Sequence, residues 1–210
     1  MTSPTAHHDP GQSPASGLGA ARLRSVLIPH ATYRTPAAAP RASVAAVFRT
    51  GDHDTDLLFI QRAERHGDPW SGHMAFPGGR ADAVDADSHA TAERETAEEL
   101  GLDLGPARRL GSLTDADGGR ATNNLIAVSA HCYWLDGERP PLEPNHEVAA
   151  AAWVPVGQLL DRRRYIDYWY GPSSSTFPGI QLDVQEQVVW GLTLRFLADL
   201  FTRLDKDFIV

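Results

Sequence analysis

Residues 92–102 read "AERETAEELGL", four glutamates and one arginine in a run that stops on glycine. Glu95, Glu98 and Glu99 stand at i, i+3 and i+4, so a helix of 3.6 residues per turn puts them on one face. There they repel by roughly a few tenths of a kcal/mol per close pair, and more if the face is covered. Arg94 points about 100° around the helix from Glu95 and can brace one carboxylate rather than neutralise three. A hard divalent cation, which prefers carboxylate and water oxygens, compensates better. The run taken alone also fits a solvated acidic helix face.

The residues before it favour the cation. "AFPGGR" (75–80) supplies a tight glycine turn, where the chain can approach a bound anion and a backbone carbonyl can reach a metal. The loop "GGRADAVDAD" (78–87) then leads to Ser88, the expected N-cap, and Gly101 suits the left-handed position that ends the helix. A glycine turn followed by a carboxylate-studded helix makes a Mg2+–diphosphate site. Glu93 falls on the side of Ala90, Ala97 and Leu100, the expected packing face, and the sequence gives no reason for it.

Working outward, "ASVAAVFRT" (42–50) and "DLLFIQR" (56–62) flank the turn-rich "GDHDT" and predict a hairpin, and "HMAFP" (73–77) adds an extended piece. "ARRLGSL" (107–113), "NLIAVSAHCYWL" (124–135) and "VAAAAWVPV" (148–156) are strand-like, with a proline-bounded loop before the last and a helical turn after it. "YIDYWYGPSSSTFPGIQL" (165–182) has no regular period and reads as a long loop. Val188, Leu192, Phe196 and Leu200 recur at helical spacing and predict a closing amphipathic helix.

With 210 residues, 42% hydrophobic, the chain can form one well-cored domain with an extension. We expect a disordered tail over 1–20, an irregular lead-in over 21–37 and a mixed α/β domain over 38–210. The formal charge of −8 argues against nucleic acid as a partner. No apolar run is long enough to span a membrane. One cysteine, Cys132, forms no intramolecular disulfide and fits a reducing, cytoplasmic setting.

"GGRADAVDADSHATAERETAEELGL" (78–102) resembles the Nudix box, G-x5-E-x7-R-E-U-x-E-E-x-G-U, with Arg94, Glu95, Glu98, Glu99, Gly101 and Leu102 in register. A one-residue insertion restores Gly79 and puts Asp85 at the first acidic position, where strict counting gives Ala86; Thr96 replaces an aliphatic residue. Both departures, with "FPGG" and "VVWGLT", are similar to the coenzyme A pyrophosphatase branch. Arg62, Ala63 and Gly72 match that branch's upstream motif, whereas Glu64 replaces a small residue and Asp68 an arginine. An acid there disfavours a phosphate-rich ligand.

The resemblance implies the Nudix fold, a mixed sheet sandwiched between helices (α/β/α), and hydrolysis of a nucleoside diphosphate derivative. Coenzyme A or acyl-CoA would be cleaved to 3′,5′-ADP and a 4′-phosphopantetheine product. A nucleotide sugar, dinucleotide or nucleoside triphosphate is the alternative substrate, and a non-catalytic nucleotide sensor the alternative class. Mg2+ or Mn2+ would be held by Glu95, Glu98, Glu99 and the Gly79 carbonyl, with Arg94 orienting Glu95. The general base is one of these glutamates or Glu147 on a later loop, with Asp115 and Asp117 further candidates. Arg62, Gly78, Gly79 and His73 would meet the substrate. Arg162–Arg164 are candidates for a 3′-phosphate, although basic residues also suit a helix end. Tyr168, Trp169 and Tyr170 could stack a base or pack the loop. A homodimer is compatible with the sequence.

Overall fold

A computed structural model describes residues 17–29, 41–67, 70–118, 126–184 and 187–205. Most of the expected tail, the second half of the expected lead-in, and Asp68 lie outside the described residues.

The two apolar stretches around "GDHDT" form an antiparallel hairpin, β1 (Arg41–Thr50) and β2 (Thr55–Arg62), closed at Thr50↔Thr55. β3 (Met74–Ala75) pairs with β2, and β4 (Gly78–Arg80) pairs with the start of β1 at Ala42↔Arg80 and Val44↔Gly78. After α2 (Ser88–Leu100) come β5 (Arg108–Ser112), β6 (Ala116–Gly118) and β7 (Ile126–Leu135). β7 lies parallel to β1, while β5 and β6 run antiparallel along its two halves. β8 (Val148–Pro155) closes the other side on β2, giving an eight-stranded mixed sheet, and the expected helical turn after it is α3 (Val156–Leu160).

Successive residues of β1 and β2 are buried on opposite faces, which is why both read as near-continuous apolar runs. Ala46, Phe48, Leu57 and Phe59 face one core; Ala45, Val47, Leu58 and Ile60 face the other. The first core is covered by α1 (Ala20–Val26) and α4 (Gly191–Leu204), the second by Ala92 and Leu100 of α2. Burying each Phe or Leu contributes about 1.5–3 kcal/mol. The result is the expected α/β/α layering. No helix among the described residues is long and apolar enough to cross a membrane.

Four local expectations need correction. Ala20, expected in the disordered tail, and residues 21–26, expected to be irregular, form α1, whose Leu23 is fully buried. The helix N-cap is Asp87, whose carboxylate accepts from the Ala90 N–H at 2.8 Å; Ser88 is the first helical residue. Residues 165–182 are a hairpin: β9 (Tyr165–Tyr170) and β10 (Ser175–Gln181), turning at Ser174 with φ 49. Exposed Asp167 and Trp169 alternate there with half-buried Ile166, Tyr168 and Tyr170, a period of two masked by the Ser and Pro beside it. The closing helix begins at Gly191 (φ 60), because Val188–Trp190 is β11, the third strand of that small sheet.

Candidate active site

The glycine turn brings the helix carboxylates to the sheet edge. Gly78 has φ 145, and a Cβ there would stand 2.6 Å from the Val44 Cα, so backbone angle and close approach both require glycine. A Cβ on Gly79 would lie 2.5 Å from the Glu95 carboxylate. The bare turn therefore lets Glu95 approach β4, while the Gly78 N–H donates to Glu99 Oε2 at 2.8 Å.

Glu99 is 3% exposed and belongs to the packing face of α2 together with His89, Ala92, Thr96 and Leu100. The face expected from Ala90 and Ala97 is thus displaced, and Ala97 is exposed. Burial pushes the Glu99 carboxyl up to about 7 against the Gly78 N–H, and the neighbouring Glu95 adds to the rise. Burial likewise raises Glu95, opposed by Arg94.

Arg94 is the hub of the site. Its Nε and one terminal nitrogen donate to both oxygens of Asp85 at 2.9 and 3.0 Å, and that second nitrogen also reaches the Arg80 carbonyl at 3.0 Å. Its other terminal nitrogen bridges Glu95 and Glu98 at 3.1 Å each. Arg94 therefore braces three carboxylates, not one. The side chain of Asp85 is 5% exposed and also accepts from the Asp82 N–H and Thr91 hydroxyl. Arg94 holds the Asp85 carboxyl well below the usual carboxylate range. Asp85 rather than Ala86 thus sits in the acidic position of the motif.

Two oddities of the helix also find causes. Glu93 accepts from Arg109 on β5 at 2.8 Å, and its charge helps to keep the buried Tyr133 hydroxyl protonated. It is a tie between helix and sheet. Thr96 is fully buried, with its hydroxyl returned to the Ala92 carbonyl at 2.7 Å, so only its methyl side needs an apolar neighbour.

Glu147 reaches the site on the later loop expected to carry it, held there by Asn145, which the sequence did not single out. Asn145 donates its side-chain amide to the Glu98 carbonyl and its N–H to the Glu99 carbonyl, while Glu143 donates to the Leu100 carbonyl. The loop thereby satisfies the end of α2. Asn145 Oδ1 then accepts from the Glu147 N–H at 2.7 Å. Glu147 faces a cavity of about 820 Å3 together with Glu95, Glu99, Gly78, Gly79, Arg62 and His73. Arg65 and His66 line the same cavity, and Arg65 donates to Glu147 at 2.7 Å.

Other candidates sit elsewhere. Glu98 is not part of the cavity wall, and its side chain is 56% exposed beside Arg94. His73 lines the cavity inside a ring cluster, 4.7 Å from Trp190 and 5.6 Å from Tyr170. Asp115 accepts from Ser129, and the Asp117 carbonyl accepts from Arg195; neither Asp lines the cavity. Arg163 is paired with Asp161 and Arg164 with Asp183, while Arg162 lies 5.0 Å over the Tyr165 ring. None of the three lines the cavity. Trp169 is 61% exposed, and Tyr168 and Tyr170 pack on Trp190, away from a stacking role.

Three clustered carboxylates of one helix are the oxygen donors a hard dication prefers, and the buried, proton-retaining Glu99 is a group that bound positive charge would relieve. Among the described residues no ready-made cage of three acidic, His or Cys groups exists, since Arg94 occupies the space between Glu95 and Glu98. The donor set fits a divalent cation that shares these carboxylates with Arg94.

Comparison with known proteins agrees with the motif. The NUDIX domain model matches residues 39–172. An uncharacterised Nudix hydrolase, NudL, of Salmonella paratyphi B is 31% identical over 150 residues, covering 69% of this chain and 72% of that protein. The mitochondrial coenzyme A diphosphatase of Mus musculus is 36% identical over 139 residues, 65% of each chain. An uncharacterised Schizosaccharomyces pombe protein is 37% identical over 111 residues, 50% of this chain; the chain matches only about a third of that relative's length. With the domain matched over most of its length, and the motif's arginine and glutamates in place around the glycine turn, this chain belongs to the Nudix hydrolases, a family of diphosphate hydrolases.

Proposed function

We propose that the protein hydrolyses the diphosphate of coenzyme A or an acyl-CoA, releasing 3′,5′-ADP and a 4′-phosphopantetheine product, with Mg2+ or Mn2+ bound. One juxtaposition carries the reading. Glu95, Glu99 and Glu147 share a cavity with Arg62, Arg65 and His66, so metal-ligating oxygens stand beside cationic groups suited to several phosphates. The likeness to a mouse coenzyme A diphosphatase supports this substrate.

A bound dication supplies neutralisation of the diphosphate oxygens and a more acidic water. Glu95, Glu98 and Glu99 would hold it, with the Gly79 carbonyl as a neutral ligand. Arg94 orients Glu95 and Glu98 through its two 3.1 Å hydrogen bonds. Gly78 and Gly79 keep the turn free of side chains, so that the diphosphate can lie against backbone. Arg62 binds phosphate oxygens, and His73 shapes the wall beside them. Glu147 takes the proton of the attacking water, which requires its release from Arg65. Water attacks phosphorus in line and one bridging P–O bond breaks, leaving two phosphate monoesters. The lone Cys132 is buried and its thiol is held protonated by burial, which suits a reducing, cytoplasmic setting.

A second reading keeps the chemistry and changes the substrate to a nucleotide sugar or dinucleotide. It is favoured by the acids Glu64 and Asp68 in the upstream motif and by the engagement of Arg65 with Glu147. The test is turnover of coenzyme A, acyl-CoA, NADH, ADP-ribose and nucleoside triphosphates with Mg2+ or Mn2+, products identified by mass. Coenzyme A compounds should be cleaved with the highest kcat/KM. Intact coenzyme A beside cleaved ADP-ribose would overturn the first reading in favour of the second, and tight binding without any cleavage would mark a sensor.

A further inference from the structure

The site holds two arginines of opposite character. Arg94 makes five hydrogen bonds, to Asp85, Glu95, Glu98 and the Arg80 carbonyl, and its departure would strand three carboxylates. The Arg65 side chain makes one: a terminal nitrogen donates to Glu147 at 2.7 Å, with the two side chains 45% and 41% exposed. An ion pair so open to water contributes little. The rest of the Arg65 fork, which suits a phosphate gripped through two parallel N–H groups, is uncommitted among the described residues.

Both partners are anchored at the backbone and loose at the tip. The Arg65 N–H donates to the Ser71 hydroxyl oxygen at 2.9 Å, and that hydroxyl donates back to the Arg65 carbonyl at 3.0 Å. Glu147 accepts at its carbonyl from the Ala63 N–H at 2.8 Å and gives its own N–H to Asn145 Oδ1. A change of partner therefore needs side-chain rotation alone, with neither loop moving. Glu147 also repels Glu95 and Glu99, so Arg65 offsets a charge that the empty carboxylate cluster carries in excess. His146 stands 3.8 Å from the same Glu147 oxygen, too far to replace the bond that Arg65 makes.

We propose that Arg65 changes partner on binding: with the cavity empty it neutralises Glu147, and an entering diphosphate takes its guanidinium and leaves the Glu147 carboxylate free to accept the proton of the attacking water. While the pair lasts, that water must compete with a guanidinium for the Glu147 oxygen. The base is thus released only when phosphate oxygens are present. The exchange rests on the reading of Glu147 as base to a diphosphate substrate, and it holds whichever diphosphate that is.

The test is a double-variant cycle read by titration calorimetry. Methylenediphosphonate, a diphosphate analogue whose P–C–P link resists hydrolysis, is titrated with Mg2+ into the full-length wild type, Arg65→Gln, Glu147→Gln and the double variant. Removing the Glu147 charge favours an anion in any background, but only where Arg65 is present does it also remove a pair that must be broken. Glu147→Gln should therefore tighten binding by up to about fivefold more in the wild-type background than beside Arg65→Gln. The same gain in both backgrounds, or no binding by any of the four, overturns the exchange. Turnover separates exchange from a fixed brace: Arg65→Gln should raise KM more than it lowers kcat. A loss of kcat equal to that of Glu147→Gln, with KM unmoved, marks a brace kept through the reaction and overturns the proposal. Coenzyme A left intact while the cycle shows the extra gain keeps the exchange and discards the coenzyme A reading. Cleaved coenzyme A with equal gains does the reverse.

Discussion

At the scale of single residues, the site is a contest for carboxylates between burial, one arginine and a cation. Glu99 illustrates the sign. Its carboxyl is raised to about 7 in the fold, so between its ordinary range near 4.5 and about 7 the native state binds more protons than the unfolded one. Metal-free stability attributable to Glu99 therefore falls as pH rises through that window and stays low above it. Glu99→Gln should melt higher than wild type at pH 8 in chelator, by roughly 3 kcal/mol at most, with the gap closing near pH 4.5. A wild-type protein as stable as the variant at pH 8 would contradict the burial argument. Asp85 behaves oppositely. Its depressed carboxyl contributes stability that is present above the usual range near 4 and lost as pH falls below it. Asp85→Ala removes one partner of a pair whose carboxylate side chain is 5% exposed and should cost about 3 kcal/mol in urea titrations at pH 7. The motif made Arg94, Glu95, Glu98 and Glu99 legible. It left Asp85 dependent on accepting an insertion, and gave no cause for Glu93, whose partner Arg109 comes from the strand after the helix.

At the scale of elements, the loop over 143–147 is a cap and a positioning device together. Its three hydrogen bonds to the last carbonyls of α2 fix where Glu147 stands relative to Glu95 and Glu99. Asn145→Ala should lower stability by about 1 kcal/mol, the worth of a lost cap, and lower kcat more than it raises KM. An effect on KM alone would place Asn145 in substrate binding instead. Gly78→Ala forces a side chain at φ 145 onto the β1 backbone; it should destabilise the protein by more than about 2 kcal/mol in the same titrations. The hairpin β1–β2, α2 and its Gly101 stop were readable from local pattern, because periodicity and turn chemistry agreed there. The β9–β10 hairpin was not, since its alternation of half-buried aromatics depends on Trp190, which is brought in by β11 from beyond residue 182.

At the scale of the molecule, the sheet separates two jobs. The face under α2 holds the carboxylates and a buried polar layer in which His89 and His131 stack at 3.8 Å; His131 is bonded to Ser88 and Ser112, and His89 to Tyr133. The face under α4 carries an apolar core that includes Phe48, Leu57, Phe59 and Phe196. The glycine turn at the sheet edge joins them, which is why so short a motif organises so large a cavity. The layered architecture could be read from continuous apolar strands and flanking helices. The division between its faces could not, because it depends on register between β4, β1, β7 and β6. The most direct test of the proposed reaction is incubation of the protein with coenzyme A and Mg2+, with products identified by mass and Glu98→Gln run in parallel. The expected result is 3′,5′-ADP and 4′-phosphopantetheine in equal amounts from wild type, and loss of turnover with a retained fold in the variant. Coenzyme A left intact by a wild-type protein that cleaves another diphosphate, or full activity in Glu98→Gln, would contradict it.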